Sequence, residues 1–348
     1  MQFHVDNDSG TSISGWIVLE NPSAIPRLLI STPDGRSIQL EANVMRPDIK
    51  DAGLHRTGMA GFRVDDDIFP GLSETNEVEI REAQSGILVF RRHQITRHLA
   101  RKLFRYDFQA MPQTQMESLL TKHFTASYQA VEQHPFDTLF GIINNQFSNS
   151  IYISGHPIFN RYQQLLRDCK FLIITLLRDP LEEFAERLLF VRYASSEQRP
   201  AYLMNYMTGL RPLLGLAEKI DFSNDDSLRA AFKTLKDDEF EAISNPFVRS
   251  LACNAEERPQ RKHISSALDN LSSMDLVGLR SRYGDFKSIL HEILNVDILG
   301  DHQLTEVTNV PVIAAKLARI GAVKEMIALD LEVYSYARDA IMSALPTT

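Results

Sequence analysis

A chain of 348 residues is long for one average domain, so two are expected, and 44% hydrophobic with 24% charged residues is ordinary for a globular protein with a sizeable core. The formal net charge of −8 argues against a nucleic-acid partner, and two distant cysteines, Cys169 and Cys253, argue against a disulfide scaffold or a zinc site. No run approaches the roughly 18 apolar residues of a transmembrane segment, and the polar residues 1–15 lack a secretory pattern, so a cytoplasmic protein is expected.

From residue 11 to about 92 the texture is that of β-structure, with short runs at 15–19, 27–31, 37–41, 61–64, 77–81 and 87–90. Turn chemistry separates them: Pro33-Asp34-Gly35, Arg46-Pro47-Asp48, Phe69-Pro70-Gly71 and Gln84-Ser85-Gly86. Residues 1–95 are therefore expected to form a small all-β, sandwich-like module, with Trp16 and Phe62 in its core. The basic run Arg91, Arg92, His93, Arg97, His98, Arg101 and Lys102 reads either as a solvated linker or as a local basic patch.

Beyond it, residues 100–348 alternate strands and helices, which predicts an α/β domain with a parallel sheet. Strands are expected at 104–108, 150–154, 171–177 and 275–278, and helices over 118–131 and 180–193. His123, His134, His263 and His291 fall on different predicted elements, so no metal site is expected. Glu182, Glu183 and Glu186 share a helical face that reads as solvated, with a cation site as the alternative. Met111, Met116, Met204 and Met207 read as gap-fillers.

Gly15-Trp16, Asp34-Gly35-Arg36, Arg46-Pro47-Asp48 and the stretch Gly58-Met59-Ala60-Gly61-Phe62-Arg63 resemble an N-terminal module found beside bacterial glycosyltransferase and sulfotransferase domains. Arg46, Asp48 and Arg63 could read a sugar or pin a loop by an internal ion pair. Further on, four landmarks resemble the carbohydrate O-sulfotransferases of the heparan 2-O type branch. Arg178-Asp179-Pro180 ends a strand and opens a helix closing with Phe190-Val191-Arg192. Ile153-Ser154-Gly155-His156 lies upstream, with Asn245-Pro246-Phe247-Val248-Arg249-Ser250-Leu251 and Val277-Gly278-Leu279-Arg280 downstream. The closing stretch Leu329-Asp330-Leu331-Glu332-Val333-Tyr334 fits the family's last helix.

The resemblance implies a P-loop-type three-layer parallel sheet and a site for PAPS, a doubly phosphorylated adenosine donor. A loop at a helix N-terminus would hold the 5′-phosphosulfate, and an arginine with a hydroxyl would hold the 3′-phosphate. On this chain those roles fall on Pro112, Gln113, Thr114 and Ser118, and on Arg178 and Arg249, with His156 as the general base on an acceptor hydroxyl. His156 also reads as a strand-end histidine bonded to backbone, and Arg178 as an ion pair with Asp179 or Glu182.

Beyond Met116, which replaces a small residue, the departures from the family pattern run in one electrostatic direction. Its Pro-Lys-Thr-x-x-Thr-Ser loop appears here as Pro112-Gln113-Thr114-Gln115-Met116-Glu117-Ser118, and the serine expected eight residues after Arg178 is Glu186. Glu183 stands where an arginine is usual. Both sites thus lose base or hydroxyl and gain acid. That predicts a pseudoenzyme with no bound cofactor, acting as a binding or scaffolding protein for a carbohydrate or a glycan-synthesis protein. The alternative is an active O-sulfotransferase using PAPS through an atypical loop.

Overall fold

The computed structural model describes residues 1–93, 98–196, 201–207 and 209–344. Eight strands come first: β1 (Gln2–Asp8), β2 (Ser12–Val18), β3 (Arg27–Ser31), β4 (Ser37–Glu41), β5 (Val44–Met45), β6 (Met59–Asp65), β7 (Val78–Glu82) and β8 (Leu88–Arg92). They form two four-stranded antiparallel sheets, ordered β1-β2-β6-β5 and β4-β3-β7-β8. The sequence reading does not anticipate β1. An edge strand buries little, and of this one only Phe3 is fully covered, so its polar residues mask it.

The glycine–aromatic motifs of this region are cross-strand devices. Gly15 on β2 lies opposite Phe62 on β6, and Trp16 lies opposite Gly61. A Cβ on Gly15 would come 2.3 Å from the His4 carbonyl oxygen and 2.8 Å from the Phe62 ring, so only glycine fits. Phe62 is buried as expected, but Trp16 is not a core anchor. Ile13, Gly15 and Ile17 take the inward face of β2, and the period of 2 sends Trp16 to the other face. There it half-covers a small satellite cluster of Val18, Ile49 and Ala60 with Leu54.

Five further strands are β9 (Lys102–Tyr106), β10 (Ala126–Tyr128), β11 (Ile151–Gly155), β12 (Phe171–Leu177) and β13 (Leu276–Leu279). They make one parallel sheet in the order β10-β11-β9-β12-β13. The expected helix over 118–131 is wrong. The helix is Thr114–Thr121, after which the chain turns into β10 beside β11. Leu120, Phe124 and Val131 mimic helical spacing, but the three-residue strand between them is too short to leave a period-2 signal.

By contact density the chain divides into two units. One comprises Met1–Leu103, Leu120–Ile153 and Leu165–Phe171; the other comprises Phe104–Leu119, Ser154–Gln164 and the chain from Leu172 onward. In the second, the Pro180–Ala194 helix buries Phe184, Ala185, Leu188 and Val191 against a large apolar cluster that includes Leu213, Leu317 and Val323. The Tyr283–Leu294 helix seats Phe286 on Gly278 of β13, where a Cβ would stand 2.5 Å from the ring.

Candidate functional site

Parallel strands deliver the residues that follow them to one edge of the sheet, the usual place for a ligand in an open α/β fold. Here that edge carries Asp107 after β9, His156 after β11, Arg178 after β12 and Arg280 after β13. Leu177 and Leu279 are paired in register, so Arg178 and Arg280 leave adjacent strands side by side. Arg280 is missed by the sequence reading. The signal is present, for Leu176-Leu177-Arg178 and Gly278-Leu279-Arg280 are both apolar strand ends closing on arginine.

Both arginines are buried, and both converge on one carboxylate. Arg178 Nη1 stands 2.6 Å from Glu186 Oε1, and Arg280 Nη2 stands 3.7 Å from the same oxygen. Glu186 has no exposed side-chain surface, and neither of its oxygens makes a hydrogen bond among the described residues, so its contacts with the two arginines are ionic. Arg178 Nε also meets Glu182 at 3.1 Å, which realises the ion-pair reading of this arginine. Burial alone would lower the Arg178 pKa, but the adjoining carboxylates, Glu186 foremost, hold it above its ordinary value. Burial, aided by the like charge of Arg178, lowers Arg280.

The solvated acidic face expected on the Pro180–Ala194 helix is therefore only one-third right. Glu182 is open, while Glu183 and Glu186 turn inward with Arg187 at helical spacing. Glu183 accepts a 2.7 Å hydrogen bond from the Ala110 N–H, and Arg187 Nη2 stands 3.7 Å from its carboxylate. Burial first, then the neighbouring Glu186 charge, pushes the Glu183 pKa up to about 7. Asp179 caps the helix by accepting from the Leu181 and Glu182 N–H groups, so the Arg-Asp-Pro triplet works partly as a helix start.

The proposed donor loop lies between β9 and the Thr114–Thr121 helix. Pro112 is buried, and Thr114 and Ser118 are exposed. Gln113 is 1% exposed. Its Oε1 accepts from the Thr305 N–H at 3.0 Å, and its Nε2 reaches the Thr305 carbonyl at 3.5 Å. A lysine has no acceptor and cannot make that pairing. Glu117, expected to repel an anionic donor, is buried against Arg105 of β9, whose Nη2 also holds Asp107 at 2.7 Å. Thr305 further accepts at 2.5 Å from Arg280, which donates at 2.5 Å to Gln109. One buried polar network thus links the loop to both strand-end arginines.

His156 is exposed at the end of β11. Arg249, on the Pro246–Ala252 helix, stands outside this network. It lines a separate cleft of about 380 Å³ with Arg258, Arg261 and Asn245. The sequence reading also misses a Cys253–His263–Glu257 row, with Sγ 3.5 Å from Nδ1 and Nε2 2.9 Å from the carboxylate. It is not an activated nucleophile. The thiol is fully buried, burial pushes its pKa up to about 11, and His263 Nδ1 already accepts from the Gln260 N–H at 2.9 Å.

In the first unit, Arg46 forms ion pairs with Asp6 and, at 2.7 Å, with Asp48, which is the loop-pinning reading of that motif. In the basic run, Arg91 pairs with Glu79, and Arg92 stands 2.5 Å from Asp8; Arg97 lies outside the described residues. No helix among the described residues is long and apolar enough to cross a membrane.

No family model matches the chain, and no curated protein is similar to it in sequence. Among solved structures, it is similar to a sulfotransferase from Alicyclobacillus acidocaldarius, at 11% identity over 66% of this chain and 96% of that one, with a TM-score of 0.31.

Proposed function

We propose that this chain is a sulfotransferase-like pseudoenzyme, a β-module of residues 1–95 before a three-layer α/β domain of residues 100–348, whose donor site is filled by its own side chains. It serves as a binding or scaffolding protein in bacterial surface-carbohydrate work. The supporting observation is Glu186, a carboxylate lodged between Arg178 and Arg280, where an external phosphate would have to sit. Gln113 does the same in the loop, where its carboxamide is engaged by Thr305. An incoming phosphate would have to displace a buried charge from two buried partners, and that loss opposes binding.

Calorimetric titration with adenosine 3′,5′-bisphosphate tests this reading. The native protein should bind nothing below about 1 mM, a ΔG weaker than about −4 kcal/mol. Glu186→Gln, which keeps the volume and removes the competing charge, should then gain measurable affinity. Micromolar binding by the native protein, weakened by Arg178→Lys, overturns the proposal.

One observation favours a second reading, an active O-sulfotransferase carrying a sulfuryl group from PAPS to a carbohydrate hydroxyl. His156 is exposed on the same edge as Arg178. In that chemistry His156 takes the hydroxyl proton as the oxygen bonds to sulfur and the sulfur–oxygen bond to the bisphosphate breaks. Loss of turnover in His156→Ala, with nucleotide binding retained, would establish it.

A further inference from the structure

The cleft of about 380 Å³ in the second unit gathers three arginines, Arg249, Arg258 and Arg261. Two of them have counter-ions: Arg258 Nη2 stands 2.8 Å from Glu241, and Arg261 Nη2 stands 3.2 Å from Glu332. Arg249 has none among the described residues, and its Nε is withdrawn from water with no acceptor. Asp330 lies within its electrostatic reach but gives both carboxylate oxygens to the Phe247 and Val248 N–H groups. A guanidinium held partly out of water without an acceptor is costly, because its lost hydration goes uncompensated. An anion laid against it from the cleft would supply the compensation.

We propose that this cleft binds a small organic carboxylate with an apolar body. Guanidinium and carboxylate match as two parallel N–H···O bonds, so one unpaired arginine suits one carboxylate. Glu241 and Glu325 also line the cleft, and their charges oppose a dianion such as a phosphate ester more than a monoanion. Arg258 and Arg261 can assist, because both are exposed and surface ion pairs exchange at little cost.

The apolar body has its own wall. Phe240, Pro259, Ala328 and Leu329 line the same cleft, and the Phe240 side chain is 41% exposed. A fixed charge beside apolar surface in a cleft of this volume is the composition of a small-molecule site. None of the lining residues belongs to the network around Glu186, so the cleft stands independently of the strand edge and of the reading given to it.

The test is titration of the full-length protein with phenylacetate, followed through the arginine side-chain N–H signals by nuclear magnetic resonance. Binding should saturate at low-millimolar concentration, as befits so small a ligand, and the Arg249 Nε–H signal should move most. Phenylacetamide, which lacks the charge, should not bind, and phenyl phosphate should bind more weakly than phenylacetate. Arg249→Met keeps the apolar stem and should weaken binding by about tenfold or more. Glu325→Gln removes a repelling charge and should tighten it by about two- to fivefold. Arg229→Ala, on the Asp225–Lys233 helix, should leave it unchanged. Failure to saturate, equal binding of the amide, tighter binding of phenyl phosphate, or affinity that survives Arg249→Met each overturns the proposal.

Discussion

Arg46 and Arg178 make the same kind of contact in two different surroundings. Each guanidinium engages two carboxylates, Asp6 and Asp48 in one case and Glu182 and Glu186 in the other. Arg46 is partly buried, but its partners Asp6 and Asp48 are open to water, where solvent and salt screen the pairs and little stability is at stake. Arg178 and Glu186 are withdrawn from water, so each depends on its partner for compensation. The first arrangement tidies a loop. The second neutralises charge at the strand edge within the protein.

Removing one partner from each pair measures that contrast most directly. Arg178→Met should cost about 3–5 kcal/mol in denaturant unfolding, because Glu186 is left buried with only Arg280 at 3.7 Å. Arg46→Ala should cost no more than about 1 kcal/mol. Adding both Glu186→Leu and Arg280→Met to Arg178→Met should recover most of the loss, since all three buried charges then go together. Equal costs for the two single variants would break the comparison.

The aromatic residues on the two faces of one sheet sharpen it from the apolar side. Phe62→Ala should cost about 3–5 kcal/mol, while Trp16→Ala, on the half-covered face, should cost less than half as much in the same unfolding experiment. If the tryptophan proves the costlier loss, the satellite cluster is a larger part of the core than its burial shows.

The smallest effect expected is a pH dependence of the second unit. Burial pushes Glu183 and Asp330 each up to about 7, Asp330 while accepting from the Phe247 and Val248 N–H groups at 3.0 and 2.9 Å. A carboxyl with a raised folded-state pKa stabilises fully below its unfolded value near 4, and that stability is lost as pH rises toward 7. Unfolding free energy should therefore fall as pH rises from about 4 to about 7. Glu183→Gln should flatten part of that slope. A slope unchanged by the substitution would assign the dependence elsewhere.

Much of this protein is legible in one dimension. Period-2 alternation and turn residues place β3 and β4 at their observed bounds, and an apolar, β-branched run bounded by Lys170 and Arg178 places β12. Those signals are local, because each strand carries its own pattern. The three-residue β10 and the polar edge strand β1 carry too little pattern to be seen. Candidate residues were legible as types and positions, and Arg178 does stand at the strand edge.

Only the tertiary structure decided what those residues are engaged with. Glu186 reads along the chain as a lost hydroxyl and an added charge; in space it is the counter-ion of two arginines about 100 residues apart in sequence. Gln113 reads as a missing lysine, yet it is paired with a peptide group at Thr305. Trp16 reads as a core residue, but the register of β2 turns it to the opposite face. Hydrophobic periodicity reports which face a residue takes within its own element. Which charge neutralises which is set by elements that meet only when the chain folds, because electrostatic pairing depends on distance in space and not on separation in sequence.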